Sequence, residues 1–144
     1  MPGTDAIDVG ESEVGDIHTA APMQDLELEI VESDDSEVID VPPITVLSLT
    51  SSVWIYNASC GDGAHTSFAI PITAYGWHTR LGYFRADGGR IGLSPIFDWN
   101  RSFYAGSRPS VNFTGRLPAG TKDLRAFWWY DGSATWWNRM SISC

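Results

Sequence analysis

The pattern of apolar and polar residues after residue 43 is typical of β-strands. Apolar and β-branched residues form short runs separated by turns rich in Gly and Asp. No window of this region has the apolar period and the caps of a helix. The predicted strands are Ile44–Leu49, Val53–Asn57, Thr66–Ala74, His78–Arg85, Arg90–Ile96, Ser110–Gly115, Leu124–Tyr130 and Ala134–Ser143. Short strands at this spacing predict an all-β fold, a small antiparallel β-sandwich or barrel.

The charge distribution divides the chain at Pro42-Pro43. Residues 1–43 carry thirteen acidic residues and no Lys, Arg, Phe, Trp or Tyr, whereas residues 44–144 carry nine basic residues against five acidic ones. The formal charges are therefore −13 and +4. A segment so acidic and so poor in aromatic residues buries too little apolar surface to offset its ordering entropy. We predict an acidic segment, residues 1–43, that is disordered when free and contributes nothing to the hydrophobic interior, and a cationic, aromatic-rich β domain, residues 44–144.

One stretch of the acidic segment has the period of a strand. From Asp25 to Ile30 acidic and aliphatic residues alternate. Such a stretch can add as an edge strand to a partner's sheet, with Leu26, Leu28 and Ile30 as the residues that the partner recognises. Pro42-Pro43 then forms a stiff, extended hinge.

The two cysteines, Cys60 and Cys144, both lie in the β domain. An even number of cysteines in a small β-rich domain predicts one disulfide, which stabilises the fold by roughly 4–5 kcal/mol in the chain-entropy model. Two free thiols in a reducing compartment are the alternative. With only His65 and His78 beside them in this domain, the spacing does not fit a zinc site, and we expect neither a metal nor another cofactor.

The last predicted hairpin concentrates four of the seven tryptophans. Trp128-Trp129 precedes the Asp131-Gly132 turn and Trp136-Trp137 follows it. If the loop has an even number of residues, Trp129 and Trp136 share the core face while Trp128 and Trp137 lie on the other face; a three-residue loop swaps the pairing. Exposed aromatic rings beside a guanidinium can stack on sugar rings or enter a membrane interface. The predicted ligand-binding residues are Trp128, Tyr130, Trp137 and Arg139.

Signatures of enzymes are mostly absent from the sequence. There is no nucleophile elbow, no zinc-protease motif and no phosphate-binding glycine loop. Every Glu precedes Pro42, and three of the five Asp residues after it lie in predicted turns, where Asp commonly bonds the local backbone. His65 and His78 with Arg80 or Arg85 leave open an acid–base nuclease. We expect a protein that is not an enzyme.

Two stretches resemble known families. Asp25–Glu32 and Ser33–Asp40, followed by a region with Ser, Thr and Cys, resemble the leaders of ribosomally synthesised modified peptides and other bacteriocin precursors. That resemblance implies a leader that a processing or export protein grips as an added strand and that is then removed. Trp137–Ser141 is similar to the closing element of βγ-crystallin motifs, but Arg139 replaces the acidic residue that binds calcium there, so no calcium site is expected.

These observations favour a bacteriocin- or toxin-like precursor. In it the acidic leader masks or directs a cationic β domain that binds a cell-surface glycan or lipid. A lectin-like carbohydrate-binding module with a passive tail is one alternative, and a structural or assembly subunit that uses the Asp25–Glu32 strand is another. Nucleic acid is not expected as a partner, because +4 is modest and no binding motif is present. The sequence has neither a secretory signal pattern nor an apolar run of membrane-spanning length, so release would need a non-classical route.

Overall fold

The computed structural model describes residues 16–23, 28–32 and 52–144. All regular elements within these ranges are strands, and all of their pairings are antiparallel, which confirms the predicted all-β class. The strands are β1 (Leu28–Glu32), β2 (Val53–Ser59), β3 (Gly63–Phe68), β4 (Ala74–Tyr75), β5 (Trp77–Phe84), β6 (Arg90–Leu93), β7 (Phe97–Asp98), β8 (Ser102–Phe103), β9 (Ser110–Gly115), β10 (Asp123–Tyr130) and β11 (Trp136–Ser141). No helix in the described ranges has the length and hydropathy of a bilayer span.

Two sheets pack face to face. One has the order β1-β9-β3-β2, and the other has the order β11-β10-β5-β6 with β7 also paired to β5. The interior between them contains apolar residues of both sheets, namely Val53, Ile55, Phe68, Val111, Phe113, Trp77, Leu81, Tyr83, Leu124, Ala126 and Trp128. Two hydrogen bonds cross the layers, from Trp128 Nε1 to Thr66 Oγ1 (3.0 Å) and from Asn138 Nδ2 to the Val53 carbonyl (2.9 Å). The fold is therefore a β-sandwich.

The strand predictions agree best where the alternation is long. β2, β5, β9 and β10 fall within a few residues of their predicted bounds. The two-residue strands β4, β7 and β8 were not predicted, because two residues cannot display an alternation. The predicted strand Ile44–Leu49 and the Pro42-Pro43 boundary lie outside the described residues.

The predicted disulfide is confirmed. Cys60, which follows β2, is bonded to Cys144, and their Cα atoms lie 5.5 Å apart. The bond closes a separation of 84 residues. It joins the chain after β11 to the end of a strand in the opposite sheet, so it links the two layers covalently.

The final hairpin has the second of the two registers that the sequence left open, not the one on which the ligand-binding set was based. Trp128 lies opposite Trp136, and Phe127 lies opposite Trp137. The cause is the turn: the Ser133 amide donates to the Tyr130 carbonyl (2.8 Å), and an odd number of residues, 129–135, connects the paired positions. This is the swapped register, which places Trp128 and Trp136 on the inner face of the sheet.

Two parts of the acidic segment lie against the β domain. β1 pairs with β9, with Leu28 opposite Gly115 and Ile30 opposite Phe113, so the strand predicted for a partner's sheet forms an edge of the protein's own sheet. Leu26 lies outside the described residues. The expectation that nothing before Pro42 enters the interior is wrong for Ile17, which is fully buried in a second apolar cluster.

Candidate functional site

The five-stranded sheet turns one face away from the four-stranded sheet. We call this face the outer face. Strand alternation and register place aromatic and charged side chains side by side on it. They are His78, Arg80 and Phe84 of β5, Arg90 and Leu93 of β6, Asp98 of β7, Asp123, Arg125, Phe127 and Trp129 of β10, and Trp137 and Arg139 of β11.

At one end of the outer face His78 holds two carboxylates. Its Nδ1 lies 2.5 Å from Asp98 Oδ1, and its Nε2 lies 2.7 Å from Asp131 Oδ1. The Asp98 and Asp131 side chains remain 61% and 81% exposed, respectively, although the imidazole between them is largely covered. In the register His78 lies opposite Trp129 on one side and Asp98 on the other. This end of the face therefore places hydrogen-bond acceptors around an indole.

Further along the outer face Arg125 lies between two aromatic rings. Its guanidinium carbon is 4.0 Å from the centroid of Phe84 and 5.0 Å from that of Trp137. Its Nε and Nη2 also donate to Asp123 Oδ2 over 3.2 and 3.0 Å. Arg139, which is exposed, lies opposite Arg125 in the register. Cation–π contacts of this kind hold guanidinium groups in fixed positions.

Residues 16–23, which we call the strap, cover part of the outer face. The strap begins with a turn in which the amides of Thr19 and Ala20 donate to the Asp16 carbonyl over 3.1 and 2.8 Å. The turn directs the Ile17 side chain into a pocket of apolar residues, namely Phe84, Leu93, Phe127 and Trp129. Full burial of an Ile side chain contributes about 1.5–3 kcal/mol relative to leaving it exposed.

Arg80 anchors the strap from below. Its guanidinium is fully buried, and Nη1 donates to the carbonyls of Ile17 (2.7 Å) and Ala20 (2.9 Å). Nε and Nη2 donate to the Ser94 carbonyl over 2.9 and 2.7 Å. Burial lowers the pKa of Arg80 to about 10, so the side chain stays charged at neutral pH. The strap carbonyls thus take the place of water around a buried cation.

Arg90 binds the acidic side chain of the strap. Its Nη1 and Nη2 each donate to one carboxylate oxygen of Asp16 over 2.7 Å. The hydrogen bond from this guanidinium is the main cause that lowers the pKa of the Asp16 carboxyl group. Because the pair is partly exposed, we expect it to contribute no more than about 1 kcal/mol. The bidentate geometry specifies orientation as well as affinity.

The strap leaves the outer face along β6. The Met23 amide donates to the Leu93 carbonyl over 3.0 Å. Met23 also packs over Gly92, where an added Cβ would lie 2.9 Å from the methionine Cε. A glycine at this position therefore allows the strap to approach the sheet closely.

His18 covers the indole of Trp129. The two rings are parallel within 8°, and their centroids are 4.2 Å apart. His18 Nε2 lies 2.7 Å from Thr135 Oγ1. Burial lowers the pKa of His18, and the nearby His78 and Arg80 lower it further. Because of this cover, the Trp129 side chain is almost fully shielded from solvent.

The structure separates the four predicted ligand-binding residues into two pairs. Trp137 and Arg139 lie on the outer face. Trp128 lies in the interior with 0% exposure, so its ring has no contact with solvent. Tyr130 is half-buried on the inner side, where its ring meets the edge of Trp77 at 4.9 Å.

Sequence reasoning did not identify the residues that hold the strap. These are Arg80, Arg90 and Trp129 of the outer face, the last of which stacks with His18 of the strap. One available signal was the alternation at the start of Trp77–Phe84, where the ionisable residues His78 and Arg80 lie on the same side of the strand. That pattern predicts a second, polar face of the sheet.

The two histidines of the nuclease alternative belong to different sheets. His65 lies on β3, where its ring contacts Tyr56 at 5.1 Å, whereas His78 lies on β5. Within the described ranges no three His, Cys, Asp or Glu side chains are grouped so that they could hold a metal ion. The chain matches no protein-family model, no curated protein and no solved structure. The functional inference therefore depends on the outer face itself.

Proposed function

We propose that the protein is a self-masked binding protein without enzymatic activity. The strap covers part of the outer face of the β domain, and the released face binds the anionic or glycan-coated surface of another cell. The role would be that of a bacteriocin- or toxin-like precursor. The observation that carries the proposal is the docking of the strap, in which Arg80 and Arg90 bind one turn while Ile17 fills an apolar pocket.

Charge complementarity supports the masking. The outer face contains four arginines, Arg80, Arg90, Arg125 and Arg139, against two aspartates, Asp98 and Asp123, and the strap belongs to a segment with thirteen acidic residues. Salt screens the attraction between opposite charges beyond about 8 Å at physiological ionic strength. Masking therefore needs the close contact that the strap makes. A ligand for the same guanidinium groups is then also expected to be anionic.

The apolar part of the outer face supports a binding function that begins when the strap is released. Departure of the strap would uncover Phe84, Leu93, Phe127 and Trp129, which form one cluster beneath Ile17. Contiguous exposed apolar surface marks binding sites, and its permanent exposure promotes aggregation. A chain that covers this cluster until use keeps the face soluble and available.

The proposal is tested with a strap-release variant of the full chain. Ile17→Glu puts a carboxylate into an apolar pocket, which we expect to displace the strap because a buried, unpaired charge is costly. Thr19→Glu is the matched control, since it adds the same charge at an exposed position of the same turn. Hydrogen exchange at the Thr19, Ala20 and Met23 amides, which are all hydrogen-bonded in the docked strap, reports release.

Binding is then measured with phosphatidylglycerol vesicles and with polygalacturonate. Masking lowers the apparent affinity by the fraction of molecules in the open form. We expect Ile17→Glu to bind at least one of these probes about tenfold more tightly than the wild type, the ratio that corresponds to 1.4 kcal/mol. Thr19→Glu should match the wild type. Equal binding by the wild type and by an Ile17→Glu variant with rapid strap exchange would refute the masking.

A further inference from the structure

We propose that the masked face binds a carboxylate-bearing polysaccharide, with one sugar ring stacked on Trp129 where His18 lies in the closed form. This inference rests on the proposed function, because the site becomes accessible only when the strap leaves. It adds the chemical class of the ligand and the place of one sugar unit. The strap itself indicates the chemistry, since its contacts with Trp129, Arg80 and Arg90 have counterparts in such a ligand.

The first counterpart is the ring. The outer face already holds a flat ring against Trp129 at van der Waals distance, with 4.2 Å between centroids and 8° between planes. A pyranose can stack the C–H face of its ring on the indole, in the place that the imidazole occupies in the closed form. Thr135 Oγ1, which now bonds His18 Nε2 over 2.7 Å, is available to a sugar hydroxyl once the imidazole leaves.

The second counterpart is the set of acceptors beside the ring. Asp98 and Asp131 each bind His78 through Oδ1 and expose most of the carboxylate to solvent. They flank the strand position that lies opposite Trp129. Carboxylates accept hydrogen bonds from sugar hydroxyl groups, which phosphate groups lack. This end of the face therefore suits the hydroxyl groups of a sugar, and the carboxylate of the ligand would lie towards Arg90.

The third counterpart is the anion. Arg90 binds the Asp16 carboxylate with two parallel hydrogen bonds of 2.7 Å, and a uronic acid presents the same pair of oxygens. Arg80 gives two hydrogen bonds to strap carbonyls, which oxygens of the next sugar unit can accept. The planar guanidinium group of an arginine matches the two oxygens of a carboxylate. A chain of uronic acids supplies rings and carboxylates together.

The test uses full-length variants and three probes: polygalacturonate, neutral dextran and phosphatidylglycerol vesicles. Ile17→Glu opens the whole face, and Ile17→Glu with Trp129→Leu removes the ring that would stack. We expect the first variant to bind polygalacturonate and the second to lose about tenfold in affinity, since the stacked contact of the sugar ring with the indole is lost. Arg116→Ala in the Ile17→Glu background is the control, because Arg116 is exposed and lies outside the outer face.

A variant that keeps the packing guards against misfolding. Trp129→Phe in the same background retains an aromatic ring of smaller area, and its polygalacturonate affinity should fall between those of the Trp and Leu proteins. His18→Ala in the wild-type background uncovers Trp129 while Asp16 and Ile17 stay docked. Because Arg80 and Arg90 still bind the strap in this variant, it should leave both polygalacturonate and vesicle binding near the wild-type level.

The outcomes separate the inference from the proposed function. Vesicle binding by Ile17→Glu without polygalacturonate binding would overturn the glycan and leave the masking intact. Equal affinity for dextran and polygalacturonate would overturn the role of the carboxylate. Polygalacturonate binding that is insensitive to both Trp129 substitutions would overturn the stacked ring. Failure of the released face to bind any probe would count against the proposed function as well.

Discussion

Arg80 Nη1 donates a 2.7 Å hydrogen bond to the carbonyl oxygen of Ile17, although 63 positions separate the two residues. The bond places the backbone of an acidic segment directly on a buried cation of the β domain. When the strap leaves, water can take over the hydrogen bonds of the guanidinium. The hydrogen bond therefore positions the strap, and water can replace the strap carbonyl when the strap leaves.

We expect loss of the Arg80 guanidinium to weaken strap docking. In Arg80→Met the carbonyls of Ile17, Ala20 and Ser94 lose their buried donor, and an unsatisfied buried group costs about 1–3 kcal/mol. Faster hydrogen exchange at the Ala20 and Met23 amides would report the effect. Arg80→Lys should be intermediate, because an ammonium keeps the charge but not the fork. Unchanged exchange in Arg80→Met would contradict this role.

Strap docking should weaken in mildly acidic solution. Burial, followed by the charges of His78 and Arg80, holds the pKa of docked His18 below the ordinary 6.5. The released strap therefore takes up a proton at a higher pH than the docked strap does. Docking is fully stable above about pH 6.5 and loses stability as the pH falls from there to the lower docked pKa. Amide exchange of the strap at pH 7.5 and 5.5 measures the change.

The control for this pH dependence is a pair of histidine substitutions. The groups that act on His18 are His78 and Arg80 of β5, and His78 in turn binds Asp98 of β7 and Asp131 of the final turn. His18→Gln should remove the His18 part of the dependence. His65→Gln should not, because His65 lies in the other sheet, although burial lowers its pKa too. An unaltered pH profile in His18→Gln would show that another group titrates.

Removal of the disulfide should destabilise the whole sandwich. The Cys60–Cys144 bond spans 84 residues, and the chain-entropy model assigns about 4–5 kcal/mol to a loop of this size. The double variant Cys60→Ala/Cys144→Ala tests this by urea unfolding, with the wild type before and after reduction as the comparison. A loss below about 1 kcal/mol would mean that the sheets are held by packing alone.

Two tryptophans of the final hairpin should have different roles. Trp128→Ala opens a cavity in the interior and removes the hydrogen bond to Thr66, so we expect a loss of about 3–5 kcal/mol in the free energy of unfolding. Trp137→Ala removes a half-buried ring beside Arg125 on the outer face and should cost clearly less. Urea titration of the two variants measures both losses in the free energy of unfolding. Equal losses would contradict the different roles of the two tryptophans.

Arg139 should contribute to the affinity of the released face. In the Ile17→Glu background, Arg139→Ala removes an exposed charge beside Arg125, and we expect roughly a two- to fivefold weaker binding of polygalacturonate at low salt. The same substitution at Arg116 should have a smaller effect, because Arg116 lies off the outer face. An equal loss at both positions would indicate attraction by net charge rather than a defined face.

Some features of β10 could be predicted from the sequence and others could not. The strand from Leu124 to Tyr130 could be predicted because apolar residues and turn residues mark it locally. The faces of its tryptophans could not be predicted, because one residue more or less in the turn exchanges the two sides of the sheet. The odd turn places Trp128, which was in the predicted ligand-binding set, in the core and places Trp129 under the strap.

The amino-acid sequence alone determined the all-β class and most long strands, because alternation and turn chemistry are local properties. The number of cysteines predicted one disulfide but left two free thiols open. Tertiary structure decided which indoles face outwards, and that Asp16, Ile17 and His18 dock on Arg90, Arg80 and Trp129. These contacts join residues that are far apart in the chain. Their charge and shape complementarity arises only when the sheet has formed, so no local sequence pattern predicts these contacts.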